Sequence, residues 1–272
     1  MEYLESLFGL KGKVALVTGG STGIGAMVSE ALVRAGAHVM LASRKGNRCE
    51  EVAKRLNALG ADGSAEGFAG DVGNEDSILA LADAVKSRTG KLDILFNNAG
   101  VSWGAPMADF PHDQWARTMA INVAGLFTLT RELLPLLAAS ATDEDPSRVV
   151  NIGSVMGTLP VAEGAYAYTA SKGAVHHLTK TLAAELAEKR ITVNAFAPGP
   201  FASKMTAFAT GSPEGAAKVG QNVPLGRIGN ASDLAAATLY LCGPGGAYIS
   251  GAILPLDGGM SVENHINLFA NL

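Results

Sequence analysis

Tyr168 and Lys172 stand one helical turn apart in the run Tyr168-Thr169-Ala170-Ser171-Lys172. On a helix, residues at i and i+4 share a face, so this spacing brings a phenol beside an ammonium. A neighbouring cation favours the phenolate, so Lys172 is expected to pull the Tyr168 hydroxyl below its free pKa of about 10. A phenol tuned in that way can exchange a proton with a substrate oxygen near neutral pH. Tyr166 lies on the same stretch, but its i+4 partner is Ala170. A Tyr–Lys pair is common on helices, and it gains meaning from a second feature near the N-terminus.

That feature is Thr18-Gly19-Gly20-Ser21-Thr22-Gly23-Ile24-Gly25, which follows a short apolar run and opens a helical one. Glycines at Gly19, Gly23 and Gly25 let the chain turn sharply and approach a pyrophosphate, whose charge the helix N-terminus favours. The alternative is an ordinary glycine-rich strand-to-helix turn. The next strand ends at Ala42-Ser43-Arg44, where an acidic residue would accept hydrogen bonds from an adenosine ribose. None is present; Arg44, Lys45 and Arg48 stand there instead. A guanidinium pairs with phosphate through parallel charge-assisted hydrogen bonds, which points to a 2′-phosphate and so to NADP(H).

The elements that must hold these residues alternate along the chain. Apolar strand-like runs are expected at Lys13–Val17, His38–Ala42, Glu66–Ala69, Leu92–Phe96, Arg148–Ile152, Thr192–Ala197 and Ala252–Leu256. Helical patterns fall between them at Ala26–Ala35, Cys49–Leu59, Glu75–Arg88, Gln114–Ala139, Tyr166–Lys189 and Ser232–Leu241, with Pro135 expected to kink or end the fourth early. Strands alternating with helices imply an α/β fold, a doubly wound parallel sheet covered on both faces. No shift in composition divides residues 1–272, so one domain is expected.

Composition bounds the function. With 48% hydrophobic and 17% charged residues, the chain can bury a large core. A net charge of −4 with no basic block argues against nucleic acid. Cys49 and Cys242 form no metal-ligand spacing and are read as buried thiols in a reducing, cytoplasmic setting. The apolar stretch near Ala120–Thr130 is broken by Asn122 and is read as too short to span a bilayer. Asp143, Glu144 and Asp145 read as a solvated loop, His176 and His177 as surface or interface histidines, and no metal site is expected.

Thr18-Gly19-x-x-x-Gly23-x-Gly25, Asn97-Asn98-Ala99-Gly100, Asn122, Ser154, Tyr168-x-x-x-Lys172 and Pro198-Gly199 occur together and in that order. The set resembles the short-chain dehydrogenase/reductase family in its single-domain branch, over about Lys11 to Gly259. Runs such as Asn97–Gly104, Asn151–Val155 and Ala165–Tyr168 resemble β-ketoacyl reductases of the rhamnolipid-pathway type more closely still. The resemblance implies a seven-stranded Rossmann-like sheet and NADP(H) chemistry. By it, Tyr168 would donate the proton in reduction, Lys172 would lower its pKa and hold the nicotinamide ribose, and Ser154 would bond the substrate oxygen. Asn122 would support a water linking Lys172 to solvent. Gly19, Ser21, Thr22, Gly23, Ile24, Gly25, Ser43 and Arg44 would hold the phosphate end. Asp71 and Val72 would border the adenine, and Asn97, Asn98, Ala99 and Gly100 the adenosine ribose side. Pro198, Gly199, Phe201 and Ser203 would border the nicotinamide, Ser203 standing where the family usually has Thr. The family also implies a homodimer or homotetramer.

The chemistry so implied is hydride transfer between a nicotinamide and a carbonyl or secondary alcohol. Residues 201–223, with Phe201, Met205 and Phe208, read as a lid over an apolar substrate, with Ser102, Trp103, Val155 and Met156 facing it. A ketone or 3-oxoacyl reductase is the first expectation. A steroid, polyol or cyclic-alcohol dehydrogenase working oxidatively is the second. A non-catalytic NADP(H)-binding regulator is the third, although such a protein has no need of a tuned phenol.

Overall fold

A computed structural model describes residues 2–160 and 163–262. The elements in order are α1 (Glu2–Phe8), β1 (Val14–Thr18), α2 (Gly23–Arg34), β2 (His38–Ser43), α3 (Gly46–Asn57), β3 (Ser64–Ala69), α4 (Glu75–Lys86) and β4 (Ile94–Asn97). There follow α5 (Asp113–Met119), a π-helical turn (Ala120–Gly125), α6 (Leu126–Ser140), β5 (Ser147–Ile152), α7 (Tyr166–Leu186) and β6 (Ile191–Pro198). The chain then forms α8 (Ala207–Thr210), α9 (Pro213–Gly220), α10 (Ala231–Cys242) and β7 (Ile253–Leu256). The strands make one sheet in the order β3-β2-β1-β4-β5-β6-β7, and every adjacent pair is parallel.

The apolar character of the strands at successive positions is explained by their burial on both sides. Side chains alternate across a strand, so Ala15, Val17, Val39, Leu41, Ile94 and Phe96 enter one core. Leu16, Met40, Leu95 and Val149 enter the other. The first core is closed by α2, α3 and α10 through Val28, Leu32, Cys49, Leu56, Leu234 and Leu241. The second is closed by α4, α6 and α7 through Ile78, Leu81, Leu129, Leu133 and Leu182. Each fully buried Leu or Phe contributes about 1.5–3 kcal/mol from its removal from water.

Pro135 lies inside α6 without ending it. The helix Asp113–Ser140 is long and apolar enough, by length and composition, to cross a membrane. Here Leu126, Leu129, Leu133 and Leu137 are buried, the last three within the second core. The acidic loop is not simply solvated. Asp145 meets Lys13 at 2.5 Å and Arg148 at 2.9 Å, and Asp143 pairs with Arg190. The Arg148 side chain is only 2% exposed and also donates to the carbonyls of Leu241 and Gly243, so burying it required these partners. Cys49 and Cys242 are both buried free thiols.

Strand order reverses between β1 and β4, whose following connections run to opposite faces of the sheet. A crevice opens there at the carboxyl ends of the strands.

Candidate active site

A cleft of about 620 Å³ lies along that crevice. Its floor begins at the glycine turn after β1. Gly19 and Gly23 adopt φ of 65° and 52°, a left-handed backbone that side chains other than glycine resist. Gly25 is excluded from substitution for a different reason. A Cβ there would lie 2.4 Å from the Gly19 carbonyl oxygen and 2.5 Å from Asn98 Nδ2. It therefore lets the first turn of α2 press against the loop, behind the cleft surface. Thr22 is the N-cap of α2 but makes no side-chain cap, and Thr22, Gly23 and Ile24 line the cleft. An uncapped twelve-residue helix pointing its first amides at a side-chain-free cradle fits a dinucleotide pyrophosphate.

Arg44 and Ser43 line the next stretch, and Arg44 forms no ion pair among the described residues. The guanidinium is thus available for a phosphate. The Ser43 hydroxyl lies 3.0 Å from Cys49 Sγ and 3.4 Å from Ser21 Oγ. Ser21 is buried and does not reach the cleft surface. Asp71 and Val72 line the cleft beyond it, with Asp71 accepting the Gly73 amide at 3.1 Å.

The Asn97-Asn98-Ala99-Gly100 run divides its work. Asn97, assigned to the ribose side, turns into the core instead and donates to Thr130 Oγ1 and Asn151 Oδ1 at 3.0 Å each. Residue alternation at the end of β4 accounts for this, since Asn98 then faces the turn. Asn98 Nδ2 donates to the Thr18 carbonyl at 2.8 Å and the Gly19 carbonyl at 3.2 Å. Thr18 Oγ1 in return accepts the Asn98 and Ala99 amides at 3.0 Å each. Asn98, Ala99 and Gly100 line the cleft.

At its far end stand Ser154, just past β5, and Tyr168 and Lys172 on α7. Ser154 Oγ accepts the Met156 amide at 3.1 Å, which leaves its hydroxyl proton free to donate. The Lys172 side chain is buried and donates to the Ile152 carbonyl at 2.6 Å, with its Nζ 5.4 Å from the Tyr168 ring centroid. Burial brings the Lys172 pKa down to about 8. The Tyr168 hydroxyl is raised above its ordinary value by burial, with the Ser154 hydroxyl pulling the other way. The expected lowering of Tyr168 by Lys172 is therefore not found. The ammonium sits over the ring and is occupied by a backbone carbonyl, so desolvation of the phenol dominates.

Asn122 is 2% exposed within the π-helical turn and lies outside the cleft lining. Its Oδ1 accepts the Val101 amide at 2.9 Å, while Nδ2 donates to the Val101 carbonyl and Ser171 Oγ, each at 2.9 Å. It ties the loop after β4 to α7. The wide π turn, Ala120–Gly125, is a local irregularity that carries Asn122.

Pro198, Gly199, Phe201 and Ser203 all line the cleft. A Cβ on Gly199 would lie 2.9 Å from Asp257 Cα. Ser203 Oγ lies 3.0 Å from Thr206 Oγ1. Phe201 is core rather than lid. It is 3% exposed, fills the space over Gly229, and separates the cleft from a second cavity of about 430 Å³. Met205 lines the cleft, whereas Phe208 is 93% exposed and covers nothing among the described residues.

Three residues escaped the sequence reading. Arg117 and Lys204 line the cleft with no local motif to mark them. His176, read as surface or interface, is buried beneath Ser154. Its place on the Lys172 face of α7, one turn on, was the available signal.

Comparison with known proteins gives the family. Residues 19–261 match a family model described as enoyl-(acyl carrier protein) reductase. The chain is 42% identical over 256 residues to the rhamnolipids biosynthesis 3-oxoacyl-(acyl-carrier-protein) reductase of Pseudomonas aeruginosa, covering 94% of this chain and 99% of that protein. It is 35% identical to the galactitol 2-dehydrogenase (L-tagatose-forming) of Cereibacter sphaeroides, over 96% of this chain and all of the relative. Among solved structures, the Pseudomonas aeruginosa RhlG/NADP active-site complex superposes with a TM-score of 0.89 at 42% identity, covering 94% and 99% of the two chains. A gluconate 5-dehydrogenase of Burkholderia cenocepacia in complex with NADP and tartrate superposes with a TM-score of 0.85 at 29% identity, covering 95% and 100%.

Proposed function

The chain belongs to the short-chain dehydrogenase/reductase family, and on that premise we propose that it is an NADP(H)-dependent reductase of ketones or 3-oxoacyl thioesters. The observation that carries the reading is the convergence of Ser154, Tyr168 and Lys172 on one cleft with the glycine turn and Arg44. Gly19, Thr22, Gly23 and Ile24 would hold the pyrophosphate, Arg44 the 2′-phosphate, and Lys172 the nicotinamide ribose. The bound cofactor supplies the hydride that the carbonyl carbon accepts. The oxygen gains charge as this happens. Ser154 donates a hydrogen bond to it from a hydroxyl already oriented by the Met156 amide, and Tyr168 delivers the proton. Lys172 stands over the ring of Tyr168, its Nζ 5.4 Å from the ring centroid, and its charge would favour the phenolate as the proton leaves. Asn122 fixes the separation of the β4 loop from α7 through Val101 and Ser171.

NADPH consumption against a panel of ketones and 3-oxoacyl thioesters tests this. Turnover on any of them is expected; none on all, with NADPH bound, overturns it. A second reading is oxidation of a polyol or sugar acid, favoured by Arg117 and Lys204 at the cleft wall. NADP+ reduction by gluconate or galactitol, with no turnover of thioesters, would decide for it.

We read the chain as one domain that works as a homo-oligomer in the reducing cytoplasm. Trp115 and Phe127 on the outer face of α5–α6, and Tyr240 and Tyr248 near its C-terminal strand, are exposed apolar groups that a second copy would cover. A single monomeric species at micromolar concentration in sedimentation would contradict this.

A further inference from the structure

His176 stands one helical turn beyond Lys172, on the side of α7 that meets the end of β5. Its ring is 8% exposed and lies under the Gly153–Gly157 segment. Two glycines make room for it. A Cβ on Gly153 would lie 2.3 Å from His176 Nε2, and one on Gly157 2.7 Å from its Cε1. Between those glycines is Ser154, whose backbone amide faces the same ring nitrogen at 3.5 Å and has no other hydrogen-bond partner among the described residues. A donor N–H requires the facing nitrogen to carry a lone pair, so the proton of the neutral imidazole lies on Nδ1.

The surroundings keep the ring neutral. Burial lowers its pKa, and the ammonium groups of Lys172 and Lys180 lower it further. Those lysines share α7 with it. The segment packed against the ring presents Gly153, Ser154 and Gly157, none of which titrates. A protonated ring would set an N–H against the Ser154 amide.

We propose that His176 is a positioning residue for Ser154: its imidazole seats the Ser154 amide from below and so fixes where the hydroxyl enters the cleft. This rests on the reductase reading above. His176 is not among the residues lining the cleft, so it acts only through Ser154. The hydroxyl oxygen is further held by the Met156 amide from the turn the imidazole supports. A loosened seat lets the hydroxyl drift, and displacements of about 1 Å at a reacting centre can cost on the order of a hundredfold in rate.

The test compares His176→Leu, which keeps bulk and loses the acceptor, with His176→Gln, whose side-chain oxygen reaches the Nε2 position. Each is made alone and together with Ser154→Ala, and kcat, KM, NADPH affinity and melting temperature are measured on the full chain. His176→Leu is expected to lower kcat roughly tenfold to a hundredfold with NADPH affinity unchanged. His176→Gln is expected to recover part of that loss. In the Ser154→Ala background, His176→Leu is expected to cost nothing more, because the group it positions is gone. Losses that multiply in the double variant overturn the proposal. So does a kcat within twofold of wild type in a folded His176→Leu protein, or loss of the fold in both His176 variants. If His176→Leu alone fails to fold, the His176→Gln cycle with Ser154→Ala decides. Wild-type protein that binds NADPH yet turns over no carbonyl overturns the reductase reading, and the positioning role falls with it. Multiplying losses in an active enzyme overturn the positioning role alone.

Discussion

Lys172 donates to the Ile152 carbonyl at 2.6 Å, and its ammonium stands 5.4 Å from the centre of the Tyr168 ring. The cation that should activate the phenol is thus parked on the backbone of β5. Tyr168 correspondingly stays protonated, which is the form a proton donor must start from. Tyr168→Phe removes the proton and leaves the cleft walls in place. It is expected to lower kcat about 10²- to 10⁴-fold with NADPH affinity little changed, as steady-state rates and fluorescence titration would show. Unchanged kcat would end the assignment.

The buried ammonium has a thermodynamic signature. The Lys172 pKa falls from 10.5 to about 8 on folding. Between those values the unfolded chain binds more protons than the folded one, so this group makes stability rise with pH across about 8 to 10.5. Melting curves of cofactor-free wild type and Lys172→Met should therefore differ most at pH 7 and below. The variant should be the more stable there, if its apolar chain fills the same space, and the difference should shrink towards pH 10 as the wild-type cost is relieved. A difference independent of pH would contradict this.

Arg44 lines the cleft, and we propose that it sets the choice of cofactor. A charge-assisted contact contributes about 1.5–3 kcal/mol, so Arg44→Ala is expected to weaken NADPH roughly tenfold to a hundredfold. NADH, which lacks the 2′-phosphate, should bind the variant as it binds wild type. An unchanged NADPH-to-NADH preference would remove Arg44 from that role.

Gly25 tests the cradle. A methyl there would meet the Gly19 carbonyl oxygen at 2.4 Å, and backbone cannot step aside as a side-chain tip can. Gly25→Ala is expected to abolish NADPH binding or fold together. Gly90→Ala, where no atom lies within 4 Å, should change neither. Calorimetry with NADPH, paired with a thermal melt, separates the outcomes.

Asp93 anchors the start of the sheet. It is 3% exposed and accepts the Val14 amide at 2.8 Å, with Lys13 at 3.1 Å and Lys91 at 3.2 Å. Burial raises its pKa, but the Ser140 hydroxyl, the Val14 amide and Lys13 outweigh it, so the net shift is downward from 3.8. A lowered carboxyl contributes stability that is present above its unfolded pKa and lost as pH falls through the folded one. Asp93→Asn is expected to cost about 3 kcal/mol at pH 7, the low end for buried pairs because Lys13 keeps some solvent. The gap to wild type should narrow below about pH 4, as urea melts across pH would show.

Much of this was legible in the chain because period and punctuation agreed. Uninterrupted apolar strands gave away a sheet covered on both faces, and the glycine turn with Tyr168 and Lys172 marked the two ends of the cleft. What stayed hidden depended on three-dimensional neighbours. No pattern says whether Asn97 or Asn98 faces the turn, because that hangs on where β4 ends. Phe201 looked like a lid residue by sequence position, and only the missing side chain of Gly229 turns it inward. His176 carried no carboxylate partner, and its place one turn beyond Lys172 on α7 was too slight a signal to set against that. The direction of the Tyr168 shift was missed because spacing reports proximity and not desolvation.

The amide of Asn98 fastens Thr18 and Gly19 to the end of β4, and Thr18 answers with two bonds of its own. The proposed shelf for the dinucleotide and the loop after β4 are accordingly tied together as one piece. An incoming ligand finds its berth already shaped, and little of its binding free energy is diverted to ordering the protein.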